Sequence, residues 1–415
     1  WSFDPSGKAA PDCITQQFGR KNSIKFYPVN LIEDEPYLKL DEQSFLLRGF
    51  NDITKGSGYY RYEENKEPKL LIEADARFGI AQKARESEML IFTKGTFKEY
   101  PDLYSANLDF KKIQRISEVN PQQNDYLWGD VKLVSWTSSK GEKLEGLLYT
   151  PENLNPEKKY PLLIYFYERN SDNLHSHRIP SPSRSIINPT YCTSNGYVVF
   201  VPDITYGTGH PGKDCYDAVV SGTLAMCDQF EFIDRSRMGL QGQSWGGYQI
   251  AHLVTQTDLY TCAMAGAPVS NMTSAYGGIR WGSGLSRAFQ YEKSQSRIGQ
   301  PLWEAPELYI ENSPVFFADQ VNTPLLIMHN DEDGAVPWYQ GIEYFSALRR
   351  LQKPVWMLVY NGAPHNLRRW PDRMDLDKRM MQFFDHYLKD APAPVWMTDG
   401  IPAVKKGIEK GFELK

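Results

Sequence analysis

The chain has 415 residues, of which 41% are hydrophobic and 23% charged, and carries a net charge of −5. That length calls for two domains rather than one. The charges are mixed in sign along the whole chain and form no basic stripe, so no nucleic-acid partner is expected, and no apolar run approaches the roughly eighteen residues of a membrane span.

The chain opens at Trp1 in what reads as ordinary folded sequence, with neither the charged nor the apolar segment of a signal peptide. We expect it to be a fragment or processed product of a longer protein. The compartment therefore stays open, with a periplasmic or secreted location placed ahead of a cytoplasmic one.

Two kinds of sequence meet near residue 128. Before it come short strands joined by turns, expected at Ser44–Asn51, Gly58–Tyr62, Lys69–Ile72, Met89–Thr93, Asp102–Asn107 and Lys112–Ile116. An aromatic strand, a polar turn and a lysine-bearing strand follow one another twice, in YYRYEENKEPKLLI and in DLYSANLDFKKIQRI. Repeated strand pairs of this kind suggest β-propeller blades, with an unrelated antiparallel sheet as the alternative.

After residue 128 strands and helices alternate. Val131–Trp136 and Gly146–Tyr149 read as antiparallel strands. Leu162–Tyr167 and Tyr197–Pro202 are continuous apolar runs, as strands covered on both faces require. A helix is expected over Ala218–Phe232, a short strand at Met238–Gln241 and a helix at Gly247–Thr255. Strands follow at Cys262–Ala265 and Pro324–His329. A helix at Tyr339–Leu351, a strand at Val355–Tyr360 and a last helix at Asp375–Leu388 complete the pattern. The fold class is α/β, with a mostly parallel, doubly wound sheet. The expected division is a propeller portion over 1–127, a catalytic domain over 128–390 and a tail over 391–415.

The five cysteines (Cys13, Cys192, Cys215, Cys227 and Cys262) form no CxxC pair. Zinc and a disulfide framework are therefore not expected. Cys215 and Cys227, on one helix, would stand about 18 Å apart and could not bridge. Buried free thiols are the reading.

The strongest local signal is Gly242-Gln243-Ser244-Trp245-Gly246, a G-x-S-x-G sequence between an expected strand and an expected helix. In that context the serine sits on a sharp turn that lifts its hydroxyl above the sheet, and the glycines let backbones approach. The Trp245 N–H, at a helix N-terminus, is aimed at a developing oxyanion. A serine needs a base to remove its proton, and in this fold class the order is serine, acid, histidine. Of the seven histidines, His175, His177, His210, His252 and His329 are upstream or on the wrong element. His386 lies within a helical pattern. His365, in the loop after VWMLVY, is the base by elimination. The acid belongs on the loop after PLLIMHN, where Asp331, Glu332 and Asp333 crowd together; spacing does not choose among them. The H-x-H pair His175/His177 has no partner cluster and reads as a solvated loop.

Taken together, GQSWGGY, HNDEDGAVP and GAPHN resemble the prolyl oligopeptidase family of serine peptidases in order and spacing. KYPLLIYFY is similar to that family's oxyanion-strand segment. PDLYSANL and NPQQNDYLWGDVKLVSW are similar to its join between the last propeller blade and the hydrolase domain. AGAPVS fits the dipeptidyl peptidase IV and acylaminoacyl-peptidase branches. The resemblance covers essentially the whole chain and is most specific from Asp102 to Leu388. It implies an α/β-hydrolase domain preceded by the last blades of a β-propeller. It also implies Asp333 as the acid, Tyr167 as a second oxyanion donor beside Trp245, and a specificity pocket of Trp245, Val269, Met272 and Val336. Such an apolar pocket would suit proline, alanine or a similar side chain.

Three departures from the family pattern bear on substrate preference. Glu168-Arg169-Asn170 stands where Gly-Gly or Ala-Gly is usual. Asp333-Gly334-Ala335 lacks a polar side chain that would grip a substrate carbonyl. Asp203-Ile-Thr-Tyr-Gly-Thr-Gly carries no arginine. The expected activity is hydrolysis of short peptides through a Ser244–Asp333–His365 triad and an acyl-enzyme, with no metal or organic cofactor. The rivals are an esterase on the same triad and a relict, non-catalytic hydrolase domain. Oligomeric state is left open, a homo-oligomer included.

Overall fold

A computed structural model describes residues 1–31 and 44–415. The chain divides into two compact units, one of Trp1–Asp130 with Asp172–Ile179, the other of Val131–Ser171 with Pro180–Lys415.

The first unit holds two antiparallel sheets. One is ordered β1 (Ile24–Val29), β2 (Ser44–Asn51), β3 (Ser57–Glu63), β4 (Lys69–Ala74). The other is ordered β5 (Arg77–Phe78), β7 (Met89–Gly95), β8 (Asp102–Asn107), β9 (Gln114–Arg115), with β6 (Gln82–Lys83) also paired to β7. These are two propeller blades, and the hairpins β3–β4 and β8–β9 carry the two repeated sequence patterns. Alternate side chains face the joint core, in which Tyr59 stacks on Phe110 at 4.8 Å and Phe78 on Phe92 at 5.8 Å. The strand β1 was not legible in the sequence, because Tyr27 and Pro28, both exposed, break the alternation begun by Ile24, Lys25 and Phe26. Within this unit His175 bonds the Thr54 carbonyl through Nε2 (3.0 Å). His177 bonds the Phe97 carbonyl through Nδ1 (3.0 Å) and stacks on Trp128. Both rings of the H-x-H pair have structural partners.

The second unit is an α/β-hydrolase domain. Its eight-stranded sheet is ordered β10 (Asp130–Thr137), β11 (Lys143–Thr150), β13 (Val198–Pro202), β12 (Tyr160–Tyr165), β14 (Ile233–Gln243), β15 (Cys262–Gly266), β18 (Leu325–Met328), β19 (Val355–Leu358). A separate small hairpin pairs β16 (Ile279–Arg280) with β17 (Leu285–Ser286). From β13 to β19 every pairing is parallel, and β11 joins β13 antiparallel. All residues of β13, β15 and β18 are buried, which explains their unbroken apolar sequences. Each such aliphatic side chain contributes about 1.5–3 kcal/mol of burial.

Helices Pro211–Gln229, Trp245–Leu253, Tyr339–Arg350 and Trp370–Lys389 cover the sheet. Three of them begin before their expected starts, and two of those have a proline in the first turn (Pro211 and Pro371), where the missing N–H costs nothing. Residues 391–415 belong to this unit, closed by backbone bonds such as Val395 N–H to Glu413 O (2.8 Å). All five cysteines are free thiols. Cys192, Cys215, Cys227 and Cys262 are buried, and Cys13 is partly exposed. Among the described residues no helix is long and apolar enough to cross a membrane.

Candidate active site

Ser244 follows the last residue of β14 and precedes the helix Trp245–Leu253. Its backbone has φ 63° and ψ −115°, a conformation that costs energy for a residue with a Cβ. The turn is held by Ser244 N–H to Gly266 O (2.8 Å) and by Tyr248 N–H to Ser244 O (2.9 Å), the first bond of the helix. Two glycines make it sterically feasible. A Cβ at Gly242 would stand 2.6 Å from the Gly246 carbonyl carbon, and one at Gly246 would stand 2.6 Å from the Phe166 carbonyl oxygen. The Trp245 N–H is in the first helical turn, where amide groups have no intrahelical acceptor.

Asp333 is buried on the loop after β18. One carboxylate oxygen accepts the Ala335 and Val336 N–H groups, both at 2.8 Å. The other lies 2.6 Å from His365 Nδ1 and 3.5 Å from His329 Nε2. Burial pushes the Asp333 carboxyl up, but the hydrogen bonds and charges of His329 and His365 outweigh it and hold the group well below the usual carboxylate range. An ionised Asp333 accepts the Nδ1 proton, which leaves the His365 Nε2 lone pair as the basic site. The His365 side chain is 18% exposed.

The neighbouring carboxylates do other things. Asp331 bonds the Asn361 amide (2.6 Å) and the Gly362 N–H (2.7 Å), pinning the histidine loop. Glu332 is exposed and has no hydrogen bond among the described residues.

Two residues without a sequence signal complete the frame. Asn330 donates to the Pro364 carbonyl (2.8 Å) and accepts the Tyr360 N–H (3.3 Å), joining the acid and histidine loops. Gln243 donates to the His365 carbonyl (3.0 Å). Among the described residues no hydrogen bond joins the Ser244 hydroxyl to the His365 ring. His386 lies on the helix Trp370–Lys389 and bonds Ala391 O (2.8 Å), away from this constellation.

Tyr167 lies just past the end of β12 rather than inside the strand. Its carbonyl accepts the Tyr206 hydroxyl (3.3 Å), which itself accepts the Trp245 indole N–H (3.2 Å). Trp245, Val269, Met272 and Val336 share one apolar cluster with Tyr248, Tyr291 and Tyr309, and Tyr167 packs against it. The four residues named from the resemblance are thus brought together. The buried Arg287 reaches this cluster, donating to the Tyr291 hydroxyl (3.0 Å) and to the Ala335 carbonyl of the acid loop.

Glu168, Arg169 and Asn170 are organised from within the same unit. Glu168 pairs with Arg297, and the Asn170 and Ser171 N–H groups donate to Asp203 (2.6 and 3.0 Å). Burial raises the Asp203 carboxyl despite those bonds. Among the described residues no three His, Cys, Asp or Glu side chains cluster as a metal site would require.

Over 378 residues the chain is 24% identical to the uncharacterized peptidase YuxL of Bacillus subtilis, covering 86% of this chain and 54% of that protein. Over 250 residues it is 28% identical to dipeptidyl peptidase 8 of Mus musculus, covering 57% of this chain and 26% of that one. The chain therefore spans about half the length of the first relative and about a quarter of the second. The fold matches that of acylaminoacyl peptidase from Pyrococcus horikoshii with a TM-score of 0.65 at 19% identity, over 84% of this chain and 55% of that structure. The profile of the prolyl oligopeptidase family matches residues 182–391, half of the chain and the stretch that carries Ser244, Asp333 and His365, and to that family the chain belongs.

Proposed function

We propose that the chain is a serine peptidase that hydrolyses short peptides through an acyl-enzyme. The observation that carries this reading is the 2.6 Å contact between the buried Asp333 carboxylate and His365 Nδ1, in a loop bonded to the residue preceding the strained Ser244. Family membership supports the reaction class.

In this reading the Ser244 Oγ attacks the scissile carbonyl carbon while His365 Nε2 takes its proton. The carbonyl π electrons move to the oxygen, which is stabilised by the Trp245 N–H and the Tyr167 hydroxyl. The C–N bond then breaks, and the amine leaves with the proton from His365. Water, deprotonated by His365, releases the acid product and restores Ser244. Asp333 remains ionised throughout and stabilises the imidazolium. The apolar walls at Trp245, Val269, Met272 and Val336 favour a small apolar residue before the scissile bond.

The test is intact mass after treatment with a fluorophosphonate, for the parent chain and for Ser244→Ala. One adduct on the parent and none on the variant are expected. A peptide-amide panel with ester controls then follows. Turnover of amides supports the peptidase; turnover of esters alone sinks it in favour of an esterase. Absence of an adduct on the folded chain rejects an activated Ser244.

A further inference from the structure

The Tyr167 hydroxyl is held from outside by a loop to which no motif points. Gln295 Nε2 lies 2.8 Å from Tyr167 Oη, and Gln295 Oε1 accepts from Gln290 Nε2 at 3.0 Å. The second bond orients the first. With its oxygen engaged by Gln290, the Gln295 amide presents N–H to the tyrosine, so Tyr167 Oη accepts and its own proton must point elsewhere.

The loop carrying Gln295 is fixed to the residue after Tyr167. Arg297 pairs with Glu168, donates to the Gln295 carbonyl (2.7 Å) and stacks over the Tyr206 ring at 5.1 Å. Arg297 has φ 51°, and its carbonyl accepts the Gly209 N–H (2.7 Å). Glu168, one of the departures from the family pattern, is thereby the anchor of this loop.

We infer that Gln295 is a positioning residue: it accounts for one side of the Tyr167 hydroxyl and leaves the phenolic proton directed at the oxyanion. The inference rests on the serine-peptidase reading, in which that hydroxyl stabilises the tetrahedral intermediate. A freely rotating hydroxyl must reorganise as charge develops; one whose acceptor side is already occupied need not. An ionised carboxylate at position 295 would do the reverse, since it can only accept and would draw the phenolic proton to itself.

The experiment measures two quantities on the full chain. One is the rate constant for fluorophosphonate labelling of Ser244, in which Oγ–P forms, fluoride leaves, and the phosphoryl oxygen stands in for the oxyanion. The other is kcat and KM on a peptide amide. Tyr167→Phe is expected to slow both reactions about 100-fold, the cost of one oxyanion donor. Gln295→Met is expected to lower kcat about tenfold, with KM within about twofold. The near-isosteric Gln295→Glu guards against a folding artefact. Its rate should fall as pH rises through the carboxyl titration, a step absent from Gln295→Met. In the Tyr167→Phe background Gln295→Met should add nothing.

The inference is overturned if Gln295→Met keeps parent rates while Tyr167→Phe loses its own, or if the Gln295→Met loss persists undiminished in Tyr167→Phe. An unlabelled parent, or a Tyr167→Phe variant labelled at the parent rate, instead removes the reading beneath it and the inference with it.

Discussion

Gln243 donates a hydrogen bond from its side-chain amide to the carbonyl oxygen of His365, 3.0 Å away. The residue before Ser244 therefore holds the main chain of His365, and the two loops are parts of one frame. Gln243→Leu keeps the volume and removes that tie. Because small displacements between reacting groups are costly, kcat should fall about tenfold with KM nearly unchanged. Steady-state kinetics beside a thermal melt would separate this from unfolding.

The three carboxylates of the acid loop should separate by size of effect. Asp333→Asn preserves shape but cannot orient or stabilise an imidazolium, so kcat should fall about 10⁴-fold. Asp331→Asn loses part of the pinning of Asn361 and Gly362 and should cost less than about tenfold. Glu332→Gln, at an exposed side chain, should match the parent. Equal losses at Asp331 and Asp333 would contradict the assignment of the acid.

Gly246→Ala places a methyl group 2.6 Å from the Phe166 carbonyl oxygen. The chain just past β12 and the turn at Ser244 must then separate, shifting Tyr167 away from Ser244. We expect fluorophosphonate labelling to slow at least about 100-fold and stability to drop by about 1–3 kcal/mol. A denaturant melt and a labelling time course would check both.

Burial pushes the Asp377 carboxyl up to about 7, against the two weak bonds it accepts from the Ser183 N–H (3.3 Å each) and the nearby Arg373. In the unfolded chain an aspartate titrates near pH 3.9. Between roughly pH 4 and 7 the folded state therefore holds the extra proton, and stability must fall as pH rises through that window. Asp377→Asn removes the titration. It should raise the melting temperature at pH 7.5 and leave it nearly unchanged at pH 4. Melts of both proteins across this range give the comparison; a parent advantage at pH 7.5 would refute it.

What could be read from the sequence follows from what the physics makes local. The runs Leu162–Ile164 and Val198–Val201 are buried on both faces, so their apolar character declared them. The nucleophile turn announced itself because two of its glycines are sterically required. In β14 only Met238–Gln241 was legible, since its first half, Ile233–Arg237, is largely polar and only partly covered and its pairing with β12 slips between Tyr160 and Leu162. The frame around Ser244, Asp333 and His365 was not legible at all. Gln243, Asn330 and Gln295 are ordinary amides whose partners lie far away in the chain, and nothing in a single sequence marks such a pairing. The loop Glu168–Asn170 read as a departure from pattern, and its partners Arg297 and Asp203 became visible only in three dimensions.

Four of the five thiols are sealed inside the hydrolase unit, where burial also pushes them up and away from the reactive thiolate. Cys13, in the other unit, is the one partly open to reagent. On the serine-peptidase reading the unaltered chain thus carries two chemically orthogonal handles, a maleimide dye for Cys13 and a fluorophosphonate dye for Ser244. The two dyes would report on the two units separately, the serine dye at the cost of activity, without a single engineered residue.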